Sequence, residues 1–147
     1  MHSALNQRRW EGDASFLNPM AEALKLAVNG TLMRGLELNP NLIQAGAEFL
    51  YEATTTPNYR LWSIHDQHPA MVRVSTGGVA VALEVWQMPA AGLVQVLLQE
   101  PPGLSIGKVT LSTGETVLGV LGEPILCEGQ REISEFGGWR AYLAQGS

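Results

Sequence analysis

Three short stretches hold residues whose types and spacing could do chemistry: the turn from Gly30 to Arg34, the strand residue Glu84, and Glu100. A strand that runs into a tight glycine-bearing turn can point successive backbone N–H groups into one concavity, which suits an anion. A short helix start beside it would add partial positive charge, and Arg34 could add a charge-assisted contact. The plain alternative is an ordinary strand-to-helix connection with Arg34 in water.

Glu84 is informative through its neighbours. In a strand, Ala80, Ala82, Glu84 and Trp86 share one face, and Val79, Val81, Leu83 and Val85 share the other. An unpaired buried charge is expensive, so this carboxylate either has a partner or lines a cavity. The alanines leave room for a pocket floor, whereas Arg60 and Arg73, also on strands, are the candidate partners. Arg60 shares a face with Trp62 and could bind an anion or neutralise Glu84.

Glu100 closes a helical pattern just before Pro101 and Pro102. General acid or base work needs a carboxylate that is fixed and partly desolvated, so that its proton affinity rises. The prolines would stiffen the backbone around it. A solvated helix-end carboxylate is the alternative.

Other chemistries are absent. Two glycines five apart, Gly30 and Gly35, are followed by Leu36-Glu37 rather than the Lys-Ser/Thr pair of a phosphate loop. No serine sits in a glycine-flanked nucleophile elbow. His65 and His68 lie in a polar turn with Asp66 between them, which reads as solvated, so no metal and no cofactor are expected. The single cysteine, Cys127, rules out an intramolecular disulfide framework and reads as a small buried apolar residue.

The elements that must position these residues follow from periodicity. Leu24, Leu26 and Val28 alternate with polar or small residues, as in a strand leading into the Gly30–Gly35 loop. Asn39-Pro40-Asn41 opens a short helix, Leu42 to Ala45. Strands are predicted over Ala47–Thr54, Tyr59–Ile64, Met71–Val74 and Val79–Met88, the last apolar on both faces and therefore central. Pro89–Leu98 reads as a helix with an apolar stripe of Val94, Leu97 and Leu98. Gly107–Leu111 and Thr116–Leu121 form a hairpin, and the tail Glu132–Leu143 is helical around Gly137-Gly138. Clustered strands with few helices predict an α+β fold with a mixed, largely closed sheet.

The chain has 147 residues, 46% of them apolar and 16% charged, which suits one domain. Residues 1–23 read as an N-terminal extension, with Trp10, Phe16 and Leu17 free to dock on the domain, and residues 24–147 as the domain itself. The formal charge of −5 and the lack of a basic cluster exclude nucleic acid as a partner. The longest apolar runs are too short to span a membrane and no signal peptide is evident, so a cytoplasmic location is expected.

Several strings carry a resemblance: "PNYRLWSI" from Pro57, "VALEVWQMP" from Val81, "PPGLSIGKVTL" from Pro101 and "EISEFGGWRAYL" from Glu132. In this order they resemble the C-terminal domain of allophanate hydrolase, over about Asn29 to Leu143. The resemblance implies a γ-glutamylcyclotransferase-like fold. In allophanate hydrolases that domain follows an amidase and is associated with decarboxylation of N-carboxycarbamate. The amidase machinery has no counterpart in these 147 residues, so a stand-alone domain is expected.

Cyclotransferases of this fold hold a substrate carboxylate on backbone N–H groups of a loop after the first strand. "NGTLMRG", Asn29 to Gly35, is similar to that loop at Gly30, Thr31 and Leu32, with Asn29 in place of a tyrosine. Thr31 falls where allophanate hydrolases carry a histidine. "VLLQEPPG" places Glu100 where the cyclotransferases carry their glutamate. The residue-level reading and the resemblance together give an expected substrate site of Asn29, Gly30, Thr31, Leu32, Met33, Arg34 and Arg60, with Glu100 and, from its strand position alone, Glu84 as the candidate catalytic carboxylates. Gly137, Gly138 and Trp139 are read as architectural, with Arg140 closing the pocket.

Two functions follow as expectations. One is an enzyme acting on a small anionic amide or carboxylated amide by carboxylate acid–base catalysis. The other is a non-catalytic ligand-binding or assembly module, as a homodimer or beside a separate amidase.

Overall fold

The computed structural model describes residues 24–145. The expected extension, with Trp10, Phe16 and Leu17, lies outside the described residues. β1, Leu24–Val28, carries the alternating sequence that predicted it and becomes the middle strand of a five-stranded sheet. The other strands of that sheet are β2 (Glu48–Thr54), β5 (Ala82–Met88), β6 (Leu104–Thr110) and β7 (Thr116–Gly122). Their order is β2-β5-β1-β7-β6, with β1 antiparallel to β5 and parallel to β7. Paired on both edges and covered on both faces, Leu26 and Val28 are fully buried. Register sets Val28 opposite Glu84, so the turn after β1 starts beside that carboxylate.

A second sheet, in the order β4-β3-β8, consists of β4 (His68–Arg73), β3 (Tyr59–Ile64) and β8 (Arg131–Glu132). Alternation on β3 holds as expected, with Tyr59, Leu61 and Ser63 buried and Arg60 and Trp62 half-buried. The β3–β4 turn places His65 and Asp66 at φ of 53° and 57°, a left-handed pair without glycine. Ser63 Oγ and Tyr142 Oη each donate to Asp66 Oδ1 at 2.6 Å, and the His65 N–H donates to Gln130 Oε1.

The fold is α+β, but the sheet is not closed. The chain just beyond its edge strands β2 and β6 meets at one isolated bridge, Thr55 to Leu111, with bonds from the Thr56 N–H to the Thr110 carbonyl and from the Ser112 N–H to the Thr54 carbonyl. Other groups on β6 are taken by side chains of the second sheet: Tyr59 Oη accepts from the Thr110 N–H, and Arg73 donates to the Lys108 carbonyl. Those bonds occupy backbone that a closing strand would need.

Among the described residues four α-helices flank the sheets: α1 (Asn39–Gln44), α2 (Ala90–Gln99), α3 (Pro124–Cys127) and α4 (Trp139–Gln145). The tail is less helical than predicted, because Glu132 belongs to β8 and only a 3-10 turn, Ser134–Phe136, precedes α4. β5 is interior rather than central, and Val79 leaves it to bridge to Tyr59. The predicted apolar stripe of α2 faces outward: Val94, Leu97 and Leu98 are exposed, and Gly92 and Val96 are buried instead. A side chain at Gly92 would collide with the Ala45 carbonyl, so glycine lets α2 settle on this face.

Candidate functional site

β1 delivers the chain into a turn that hydrogen-bonds to itself. The Met33 N–H donates to the Gly30 carbonyl, and the Leu38 N–H to that of Thr31. Asn39 Nδ2 donates to the Leu32 carbonyl at 2.8 Å. Gly30 is required by close approach, since a Cβ there would lie 2.5 Å from Pro69 Cδ. Among the described residues, no protein group accepts from the N–H of Thr31 or Leu32.

The turn borders a cavity of about 500 Å³. Asn29, Gly30, Thr31 and Leu32 form one wall; Asp66, Gln67, His68 and Pro69, from the β3–β4 turn and start of β4, form another. Glu100 and Pro101, beyond α2, complete it. This volume is typical of small-molecule sites.

Asn29 is 4% exposed. Its Nδ2 donates to the Val120 carbonyl at 3.0 Å and approaches Met71 Sδ at 3.9 Å. Its Oδ1 accepts from no described protein group, yet among the described residues no fully buried side-chain polar atom is left without a partner. That oxygen is therefore not fully buried, and the residue lines the cavity.

Glu100 takes an extended conformation as the C-cap of α2, its N–H donating to the Leu97 carbonyl. Among the described residues its carboxylate has no hydrogen bond or ion pair. Burial pushes its pKa up to about 6, because a charged carboxylate is disfavoured where water is scarce.

Glu84 is built differently. It is 2% exposed, and each carboxylate oxygen accepts twice. Oε1 receives the Arg34 N–H at 2.9 Å and Trp86 Nε1 at 3.1 Å; Oε2 receives Arg34 Nε at 3.1 Å and Arg140 Nη2 at 3.0 Å. Burial raises its pKa, but these hydrogen bonds outweigh it and hold the carboxyl below the ordinary value. The partners expected for it, Arg60 and Arg73, are engaged elsewhere. Arg60 donates to the Gly77 carbonyl and pairs with Glu132 at 3.8 Å, and Arg73 binds Tyr59 Oη.

The expected site residues therefore separate. Asn29, Gly30, Thr31, Leu32 and Glu100 share the first cavity. Met33, Glu84 and Arg140 line a second cavity of about 660 Å³, together with Phe136, Gly137 and Trp139. Arg34 leaves the first cavity because Glu84 and Glu52 hold it, with its guanidinium 3.7 Å from the Phe49 ring centre. Arg60 lines neither cavity. Sequence reasoning missed Glu37, Asp66 and Gln67 as lining residues; the polar run His65 to His68 was the available sign for Asp66 and Gln67, and Glu37 had none.

The fold corresponds to the γ-glutamylcyclotransferase-like class. An AIG2-like protein from Mus musculus shares the fold at a TM-score of 0.55 and 16% identity, over 71% of this chain and 79% of that one. Residues 24–144 match the family model described as the allophanate hydrolase C-terminal domain, and the chain belongs to that family. The urea amidolyase of Saccharomyces cerevisiae is 30% identical over 128 residues, 82% of this chain. This chain spans only 7% of the length of the curated relatives it matches. Among solved structures, a uropathogenic E. coli-specific protein is 56% identical with a TM-score of 0.82, covering 83% of this chain and 96% of that one. Kluyveromyces lactis allophanate hydrolase is 30% identical with a TM-score of 0.80, over 85% of this chain and 22% of that one. Among the described residues no helix is long and apolar enough to cross a membrane.

Proposed function

We propose that this chain is a small-molecule enzyme that binds an anionic amide or carboxylated amide in the first cavity, with Glu100 moving the proton. The observation that carries the reading is an unpartnered carboxylate with a pKa of about 6 in one hollow with the Gly30 turn. Such a group is a competent base at neutral pH and a competent acid just below it.

The substrate carboxylate rests on the Thr31 and Leu32 N–H groups. For a γ-glutamyl amide, the substrate amine attacks the amide carbonyl, forming one C–N bond. Glu100 accepts the amine proton and passes it to the departing nitrogen as the old C–N bond breaks. For a carboxylated amide, Glu100 delivers a proton to nitrogen as the N–CO₂ bond breaks and carbon dioxide leaves. Positioned proton transfer contributes about a hundred- to ten-thousand-fold. Release of amine or carbon dioxide from such substrates, with a drop of at least about a hundredfold in Glu100→Gln, tests this. Equal rates in the variant contradict it.

The relatives favour a second reading. Because the matched region is a small part of urea amidolyases, this chain is alternatively a ligand-binding or assembly module for a separate amidase in urea nitrogen metabolism. Co-purification with an amidase, and indifference of any activity to Glu100→Gln, would select it.

A further inference from the structure

The outward face of α2 is apolar. Val94, Leu97 and Leu98 are 56%, 41% and 79% exposed, and Ala91 is exposed on the same face as Val94 and Leu98. The opposite face does the packing: Gly92 and Val96 are buried, and Leu93 rests against the core. From Ala90 to Gln99 the helix holds no charged residue, whereas the solvent side of a surface helix ordinarily carries them. On α1, Ile43 is exposed as well, two residues before the Ala45 that Gly92 closely approaches. An exposed apolar patch of this kind marks an interaction site.

The chain itself supplies a cover at the right end of the helix. Register sets Leu24 opposite Met88, and Met88 leads directly into Pro89, the N-cap of α2. Residues 1–23 therefore join the domain beside the start of α2. The helix has 10 residues and is about 15 Å long. An extended segment advances about 3.3 Å per residue, so about five residues run the length of the helix. Leu17 precedes Leu24 by seven positions, and Phe16 lies one further back. The stretch from Ala14 to Ala21 carries no charge and includes Phe16, Leu17 and Met20. An uncharged helix face and an uncharged apolar stretch of the same chain thus lie within reach of each other.

We propose that residues 14–21 of this chain cover the outward face of α2, with Phe16, Leu17 and Met20 against Val94, Leu97 and Leu98. The segment then straps the helix whose C-cap is Glu100. This docking does not depend on what the first cavity binds.

Nuclear Overhauser contacts in the full chain, labelled at methyl and aromatic positions, test it. Contacts are expected from the Phe16 ring and the Leu17 and Met20 methyls to the methyls of Val94, Leu97 and Leu98. They should persist on dilution and vanish from an isotope-filtered spectrum of mixed labelled and unlabelled protein, as contacts within one chain must. The double substitution Phe16→Ala and Leu17→Ala removes two of the three covering side chains. Amide exchange across α2 should then quicken by about tenfold, while β3 and β4 stay unchanged. Contacts that appear only in the filtered spectrum overturn the proposal, because a second copy then covers the face. Absence of any contact between residues 14–21 and α2 overturns it too, and leaves the face to a separate protein. Exchange in α2 that is indifferent to the double substitution also overturns it.

Discussion

Glu84 holds Arg34 at two points, by its backbone N–H at 2.9 Å and by its Nε at 3.1 Å. Arg140 closes the arrangement by donating to the Arg34 carbonyl at 2.7 Å and to Glu84 at 3.0 Å. A buried carboxylate on β5 therefore fixes the far end of the turn whose near end faces the first cavity. Its four hydrogen bonds shape that turn.

Glu84→Gln should destabilise the fold, because one amide cannot accept all four donors. Both arginines are partly exposed and can recover water, so the loss is put at roughly 1–3 kcal/mol rather than the upper range for a broken buried pair. Chemical denaturation measures it. Because the native carboxyl titrates below its ordinary value, its stabilising contribution is present above that value and lost as pH falls through the native pKa. The stability gap between wild type and variant should therefore close in acid.

Glu100→Gln should act in the opposite direction. Its pKa rises from 4.5 to about 6 on folding, so the folded state binds the proton more tightly. Stability falls as pH rises from about 4.5 to 6, and the ionised form stays costly above that. The shift corresponds to about 2 kcal/mol at most, discounted to roughly 1 kcal/mol for the group's partial exposure. The neutral amide should be more stable than wild type above pH 6 and lose that advantage below pH 4.5. Denaturation midpoints across pH check this, and activity should be lost in the same variant.

Much of the frame was legible because it depends on local order. The alternation in Tyr59–Ile64 fixes which side chains point inward, and Leu24–Val28 also appears as the strand read, though covered on both faces. Pro101-Pro102 stops α2 where expected, which sets Glu100 at its C-cap. The partners of Glu84 were not legible, since Arg140 lies 56 positions away and only tertiary folding brings it there. The stripe of α2 failed for a related reason: periodicity defines a face, but the close contact of Gly92 with Ala45 decides which face packs. Sheet closure failed because side chains, Tyr59 and Arg73, reach the β6 backbone, and strand periodicity carries no trace of that.

Gly30→Ala should deform the turn. The added Cβ would meet the Pro69 ring, which is too rigid to swing aside. Overpacking of this kind costs about 1–3 kcal/mol, and ligand affinity should fall with it. Thermal melting and calorimetry on one preparation would show both effects; an unchanged affinity would separate the turn from binding.

Tyr142→Phe should release Asp66. Hydrogen bonds from Ser63 and then Tyr142 hold that carboxyl below the ordinary value, so losing the hydroxyl should move its titration upward. Carbon-detected NMR of the aspartate side chain follows the shift directly. The β3–β4 turn, with His65 and Asp66 at positive φ, should also exchange its amide protons faster.

The most direct measurement is an NMR titration of the full chain with γ-L-glutamyl-L-alanine, following the amides of Thr31 and Leu32 and the carboxyl of Glu100. All three should respond with one common affinity, while Glu84, Arg140 and the other residues of the second cavity stay in place. A response centred on Glu84 and Arg140, with the Gly30 turn and Glu100 silent, would contradict the account.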